Sequence, residues 1–401
     1  MALFSNNKFL RLLTLSYACL LTLPCFSQQS PRLSVTWNPN IETYFILERI
    51  AVERLGNYGY ITRETNNAHQ PMVKAAFEKF GSYKDSAIGI KAAALLDTLR
   101  KIHVFNDMIL EALLYTRAFP DTGYRYPLNQ APNNPQREAA LRLIQPFFRE
   151  MQQFYVSAGA GEFLQRHRAF YDGAVHEVAK DIPPGIDRYM EHYYGEKVPA
   201  FTVIVNPTMP IAPVEGDFRG VGPSVITDKG KIPFMIMSTS IMLSPLPSLS
   251  QYKKFGFDNP AHTVFLTVHE FGHSFVNPHL APNQEQLEKY SALFTDSLQK
   301  VMNAQDIYSW YSCVIEHIVR LGEIRIAEYM KDHTRAQSLR KLHTGDCHFV
   351  FIPAMEEKMK VYEQHRQRYP TFNDFLPELL TVFKNFTPAQ VNQLATTPGK
   401  Y

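Results

Sequence analysis

The chain is poor in cysteine, with four in 401 residues. Cys19 and Cys25 fall in an N-terminal apolar stretch, so the body of the chain holds only Cys313 and Cys347. Two thiols cannot build a disulfide framework or a thiolate zinc site, although in an oxidising compartment they could pair. An excess of one charge is also lacking. A formal net charge of +3, from 41 basic and 38 acidic residues, gives no field that would gather nucleic acid. Beyond residue 27 no apolar run approaches the ~18 residues of a membrane-spanning helix, so no stable membrane insertion is expected of the mature chain. There is no internal repeat and no low-complexity linker, which favours one continuous unit over separable modules.

An export signal stands at the start. Lys8 and Arg11 give a positive beginning, "LLTLSYACLLTLP" an apolar centre, and Ser27 a small residue before Gln28. Residues 1–27 are expected to be removed, leaving a periplasmic or extracellular protein. Tyr17-Ala18 and Leu23-Pro24 are poor contexts for a lipid anchor on Cys19 or Cys25. The remainder, in a chain 45% hydrophobic and 20% charged, has ordinary globular composition.

Residues 28–195 read as a helical region. "IETYFILERIAVERLG" sets the pattern, with apolar residues every three or four positions and a stop at Gly56. The texture changes at Pro199. "AFTVIVNP" and "KIPFMIMSTS" are short, β-branched and aromatic, and "PVEGDFRGVGPSVITDKGK" between them holds four of the 19 glycines. A small twisted sheet is expected over 199–240, with hairpins or a flap in the glycine-rich part. Helices return over about 260–276, 284–303, 306–331, 354–368 and 372–384. The fold class is therefore α+β and mostly helical, with residues 196–401 as the catalytic region.

The chemistry concentrates in "HEFGHSFVNPH", residues 269–279. Residues four apart on a helix share a face, so His269 and His273 can hold one metal ion, while Glu270 is turned enough to reach a water the metal activates. Val264, Val268, Phe271 and Phe275 form the core face of this helix, and Gly272 leaves room for a close neighbour. A similar opening in "HEVAK", 176–180, ends in Lys180, which binds no zinc.

Such a site needs a third ligand. His279 lies six residues after His273, but Val276 occupies the place where a turning glycine would be needed, and Asn277-Pro278 reads as a helix stop. In "DIYSWYSCVIEHIVRLGEIRIAEYM", 306–330, Glu316, Arg320 and Glu323 form one stripe on a helix apolar nearly all round. A buried carboxylate must be paired or bind metal. Glu316, steadied by Arg320, is therefore the favoured third ligand. Glu323 is the next choice, or else it supports the ligands from behind.

Two histidines on one helix and a glutamate on a later one is similar to the gluzincin arrangement. More closely, the chain resembles a domain-of-unknown-function family of exported bacterial metallopeptidase candidates. The resemblance rests on "HEFGHSFVNP", "EHIVR", "VYEQHRQRYPTFNDFLPELL" at 361–380 and "NPNIETYFILERIAV", and spans most of residues 33–385. It implies a zincin-like core and one Zn2+ held by His269, His273 and Glu316. Glu270 would be the general base, and a cleft would lie between the sheet and the C-terminal helices. The expected function is an exported zinc metallopeptidase acting on a peptide or protein. A zinc-binding protein without turnover and a non-peptidase zinc amidohydrolase are the alternatives. "IPFMIMST" is the expected edge strand for substrate. Tyr308, Tyr311, His317, Tyr329, His343 and His348 are the candidates for stabilising the oxyanion.

Overall fold

The computed structural model describes residues 32–56, 69–127, 135–212 and 217–397. The export signal expected over residues 1–27 lies outside them, as do residues 213–216 of the glycine-rich stretch. Arg32–Tyr401 is one compact unit.

A five-stranded mixed sheet lies at its centre: β1 (Leu33–Thr36), β2 (Phe201–Val205), β3 (Gly220–Val221), β4 (Ser224–Thr227) and β5 (Gly230–Met237). β1, β2 and β5 run parallel, and β3 and β4 pair antiparallel with β5 on its far side. Successive strand residues point to opposite faces, and here the two faces feed two separate cores. Phe201, Val203, Val205, Met235 and Met237 face one core, which includes Phe271 and Phe275 of the helix Pro260–Leu280. Ile204, Phe234 and Ile236 face the other, built from the N-terminal helices Pro39–Leu55, Ala87–Lys101 and Pro135–Ser157. Each fully buried side chain of this size contributes on the order of 1.5–3 kcal/mol, so the sheet is fixed from both sides.

The fold is α+β and mostly helical with a small mixed sheet, as the sequence pattern indicates. Four details differ. β1 lies inside the stretch expected to be helical, because "LSVT" is too short to show a period and becomes a strand only by pairing with β2. "IPFMIMST" is not an edge: β5 is paired on both sides, and the edges belong to β1 on one side and to β3 and β4 on the other. The helix Pro260–Leu280 does not stop at Asn277-Pro278. Pro278 sits in the last turn and costs the helix its own N–H, yet the Ala281 N–H still bonds to the Asn277 carbonyl. The stretch around "TGDC" is not a loop but a π-helical turn, Lys341–Asp346, continuing the helix His333–Arg340. Among the described residues no helix is long and apolar enough to cross a membrane.

Candidate metal centre

Asn259 starts the helix Pro260–Leu280 by accepting the His262 N–H on its side chain, with Pro260 in the first turn. Three turns on, His269 and His273 project together, and their Nε2 atoms are 3.2 Å apart. The helix Trp310–Tyr329 crosses beside it and brings in Glu316. Glu316 Oε1 is 3.4 Å from His273 Nε2, and Oε2 is 3.8 Å from His269 Nε2. Glycines permit the close crossing. A Cβ on Gly272 would lie 3.2 Å from the Tyr194 hydroxyl and 3.2 Å from Val319 Cγ1, and one on Gly322 would lie 2.8 Å from the same hydroxyl.

Among the described residues, His269, His273 and Glu316 are the group whose ligand atoms all lie within 4.8 Å of one another. Tetrahedral coordination with bonds of ~2.0–2.1 Å separates ligand atoms by about 3.3 Å, close to the spacings found. The tautomers suit a cation as well. His269 Nδ1 donates to Glu323 Oε1 at 2.8 Å, and His273 Nδ1 to Asn277 Oδ1 at 3.3 Å. Both Nε2 atoms therefore present lone pairs to the shared space, which the Glu316 carboxylate also faces. Glu316 Oε2 is buried and accepts no hydrogen bond. Three acceptors converge there, with the Arg320 guanidinium 3.4 Å from Glu316 Oε2 but outside hydrogen-bond geometry, an arrangement a cation would satisfy.

The charges are coupled. In the metal-free chain burial pushes the Glu316 carboxyl up, but positive charge on protonated His269 and His273 and on Arg320 outweighs it and holds the group below its ordinary value. Arg320 Nη2 is 3.4 Å from Glu316 Oε2, with its guanidinium 4.5 Å from the centre of the Phe349 ring. Burial drives the Glu270 carboxyl up to about 7, against the pull of His269 and with Glu316 adding to the rise. β3 lies directly on Glu270: a Cβ on Gly220 would fall 2.2 Å from its Oε1, and one on Gly222 2.2 Å from its main-chain oxygen. The glycine clustering in the sequence was the signal for this contact; its location was not visible there.

His279 is elsewhere. Because the helix continues, six residues carry it roughly 240° round the axis from His273, where its Nε2 meets Glu196 Oε2 at 3.0 Å. Glu196 also pairs with Lys231 at 2.7 Å. The "HEVAK" glutamate has a structural role, Glu177 accepting the Phe255 and Phe257 main-chain N–H groups at 2.9 Å each. Four of the six oxyanion candidates are engaged elsewhere. His317 Nδ1 donates to the Cys313 carbonyl and His343 Nε2 to Glu323, both rings being fully buried. Tyr329 packs on His192 and Tyr193, and the exposed Tyr308 donates to Asp306. Cys313 and Cys347 are free thiols.

"VYEQHRQRYPTFNDFLPELL" braces the site from behind. The Tyr362 hydroxyl and Arg366 both donate to the Tyr193 carbonyl, Glu363 pairs with Arg325, and Thr371 with Asp374 forms a capping box. This fixes the Tyr193-Tyr194 pair whose second ring stacks on Phe275 at 4.5 Å. Sequence reasoning missed the buried contact between Glu323 and His343, because a π turn leaves no periodic trace.

No curated protein and no solved structure matches the chain. A family profile matches residues 141–382, which include His269, Glu270, His273 and Glu316 and exclude the "NPNIETYFILERIAV" segment. On that match, the chain belongs to the family described as a domain of unknown function (DUF4932).

Proposed function

We propose that the chain is a zinc-dependent metallopeptidase of gluzincin type, exported if its N-terminal segment acts as a signal. The observation that carries this reading is the meeting of the His269 and His273 Nε2 atoms with the Glu316 carboxylate, with no hydrogen-bond donor among them. His269, His273 and Glu316 would hold the zinc. When bound, zinc supplies Lewis acidity and lowers the pKa of a water toward neutrality. Glu270 would serve as the base for that water and pass the proton to the departing amine; in the metal-free chain burial raises its carboxyl pKa to about 7. A protein that only bound the metal would leave Glu270 without a task.

The edge of the sheet supports an extended peptide as substrate. Arg219 and Pro223 carbonyls accept from Ser238 and Phe234 of the β5 strand and its extension, so alternate residues face inward. Gly220 and Gly222 then turn their main-chain groups outward, beside Glu270. In the same register the Ile226 N–H faces outward and is closed by the Tyr115 hydroxyl at 2.9 Å. The open edge is thus short, suited to pairing with a few residues of substrate backbone.

The test is metal content together with cleavage of a broad peptide library for wild type, Glu270→Gln, Glu316→Ala and His279→Ala. Glu270→Gln should keep zinc and lose ~10²–10⁴-fold in turnover, Glu316→Ala should lose zinc, and His279→Ala should keep both. Zinc retained in Glu316→Ala but lost in His279→Ala would overturn the ligand set. Zinc without any cleavage by the wild type would favour binding alone or another amide substrate.

A further inference from the structure

Behind His269 runs a line of buried polar groups. His269 Nδ1 donates to Glu323 Oε1 at 2.8 Å, and Glu323 Oε2 accepts from His343 Nε2 at 2.8 Å. The Glu323 and His343 side chains are both fully shielded from solvent. An ionised carboxylate only accepts, so both imidazoles present an N–H to it. His343 reaches Glu323 because the chain widens into the π-helical turn Lys341–Asp346. Such turns are rare and concentrate at functional sites. Phe265 and Phe349 pack around the His343 ring, with centroids at 6.4 and 6.2 Å.

The pair makes poor structural filling. A buried ionised group costs several kcal/mol to desolvate, and apolar side chains of similar volume often hold helices together at least as well. His273 has weaker support, since its Nδ1 faces only the neutral Asn277 amide at 3.3 Å. The two histidines of the site are therefore backed unequally, one by a buried carboxylate with a histidine behind it and one by an amide.

We propose that His343 is a positioning residue for the metal centre. Through Glu323 it fixes the ring direction and Nδ1–H tautomer of His269 and makes His269 the stronger of the two histidine donors. The proposal rests on the metallopeptidase reading of the same site.

The experiment measures Zn2+ affinity of the full chain by chelator competition, and the visible spectrum of the Co2+ form, for wild type, His343→Gln and His343→Phe. Glutamine keeps an N–H for Glu323, whereas phenylalanine keeps the ring packing and removes the donor. His343→Phe should weaken Zn2+ binding ~10–100-fold and shift the Co2+ bands, and His343→Gln should stay close to wild type. Wild-type affinity and spectrum in His343→Phe would overturn the proposal. So would equal losses in both variants with unchanged Co2+ bands, since that pattern means packing alone. Long-range 1H–15N NMR of the wild type needs no variant: protonation at His269 Nδ1 and His343 Nε2 is expected, and the opposite tautomer at either ring would overturn it. Failure of the wild type to take up Zn2+ defeats the metallopeptidase reading along with the proposal. Uptake by the wild type with indifferent His343 variants defeats the positioning role alone.

Discussion

Buried carboxylates lie on both faces of the sheet, and they differ in what answers them. On the N-terminal side, Glu42 Oε2 accepts from the Tyr171 and Thr208 hydroxyls at 3.0 and 2.7 Å. Glu48 Oε1 accepts from Tyr44 at 3.0 Å and from Arg100 at 2.6 Å. On the other side, Glu316 faces two imidazole lone pairs, and Glu270 lies under a glycine strand. Glu42 Oε1 and Glu48 Oε2 also lack partners, so a lone orphaned oxygen does not mark a site. What separates the two faces is convergence. The N-terminal carboxyls each have their own donors, whereas the other face brings acceptors from two helices to one point.

The sharpest contrast comes from deleting one carboxylate on each face. Glu48→Ala removes the partner of Arg100, and breaking a buried pair of this kind costs ~3–5 kcal/mol. Denaturant unfolding should show that loss while metal content stays the same. Glu316→Ala should lose the metal, with a smaller loss of stability in the metal-free chain than Glu48→Ala, since its ion pair with Arg320 is longer, at 3.4 Å. Equal behaviour of the two variants would erase the distinction between the faces.

Gly220→Ala sharpens the comparison from the strand side. Its Cβ would press within 2.2 Å of Glu270 Oε1, so the carboxylate must move. Displacing a reacting group by about 1 Å can cost ~10²-fold in rate, and metal content should be retained. Wild-type turnover in this variant would show that Glu270 is not held by β3.

The smallest effect is expected from Glu42→Gln. Burial raises the Glu42 carboxyl pKa from 4.5 to about 8, so the folded chain keeps a proton that the unfolded chain releases. The stability linked to that proton is complete below pH 4.5 and is lost as pH rises through about 8. Glutamine cannot ionise, so the variant should lose this part of the pH dependence and gain relative stability at the alkaline end, as thermal unfolding across that range would measure. An unchanged pH profile would mean that Glu42 already ionises freely in the folded chain.

Much of the site was legible because its signals are local. The spacing of His269, Glu270 and His273 follows from helix geometry alone, as does the stripe holding Glu316, Arg320 and Glu323. Gly272 announced a close approach, and Tyr194 and Val319 supply it. The glycines at 220 and 222 announced special backbone without saying what they meet. β5 was mistaken for an edge because strand order depends on pairing partners distant in the chain, which a run of β-branched residues does not name. Pro278 misled because the helix runs on past it, the Ala281 N–H bonding to the Asn277 carbonyl, so the loss of one N–H there does not end the helix.

By itself the sequence determined the elements that depend on short-range periodicity: a mostly helical α+β chain, two histidines and a base on one helix face, and an acidic stripe on another. Tertiary structure decided what depends on which helices cross. It placed Glu316 against both histidines, turned His279 toward Glu196, put β3 over Glu270, and brought His343 behind His269. The physical reason is that side-chain direction along a helix is set within one turn, whereas the meeting of two helices is set by packing between residues about fifty positions apart.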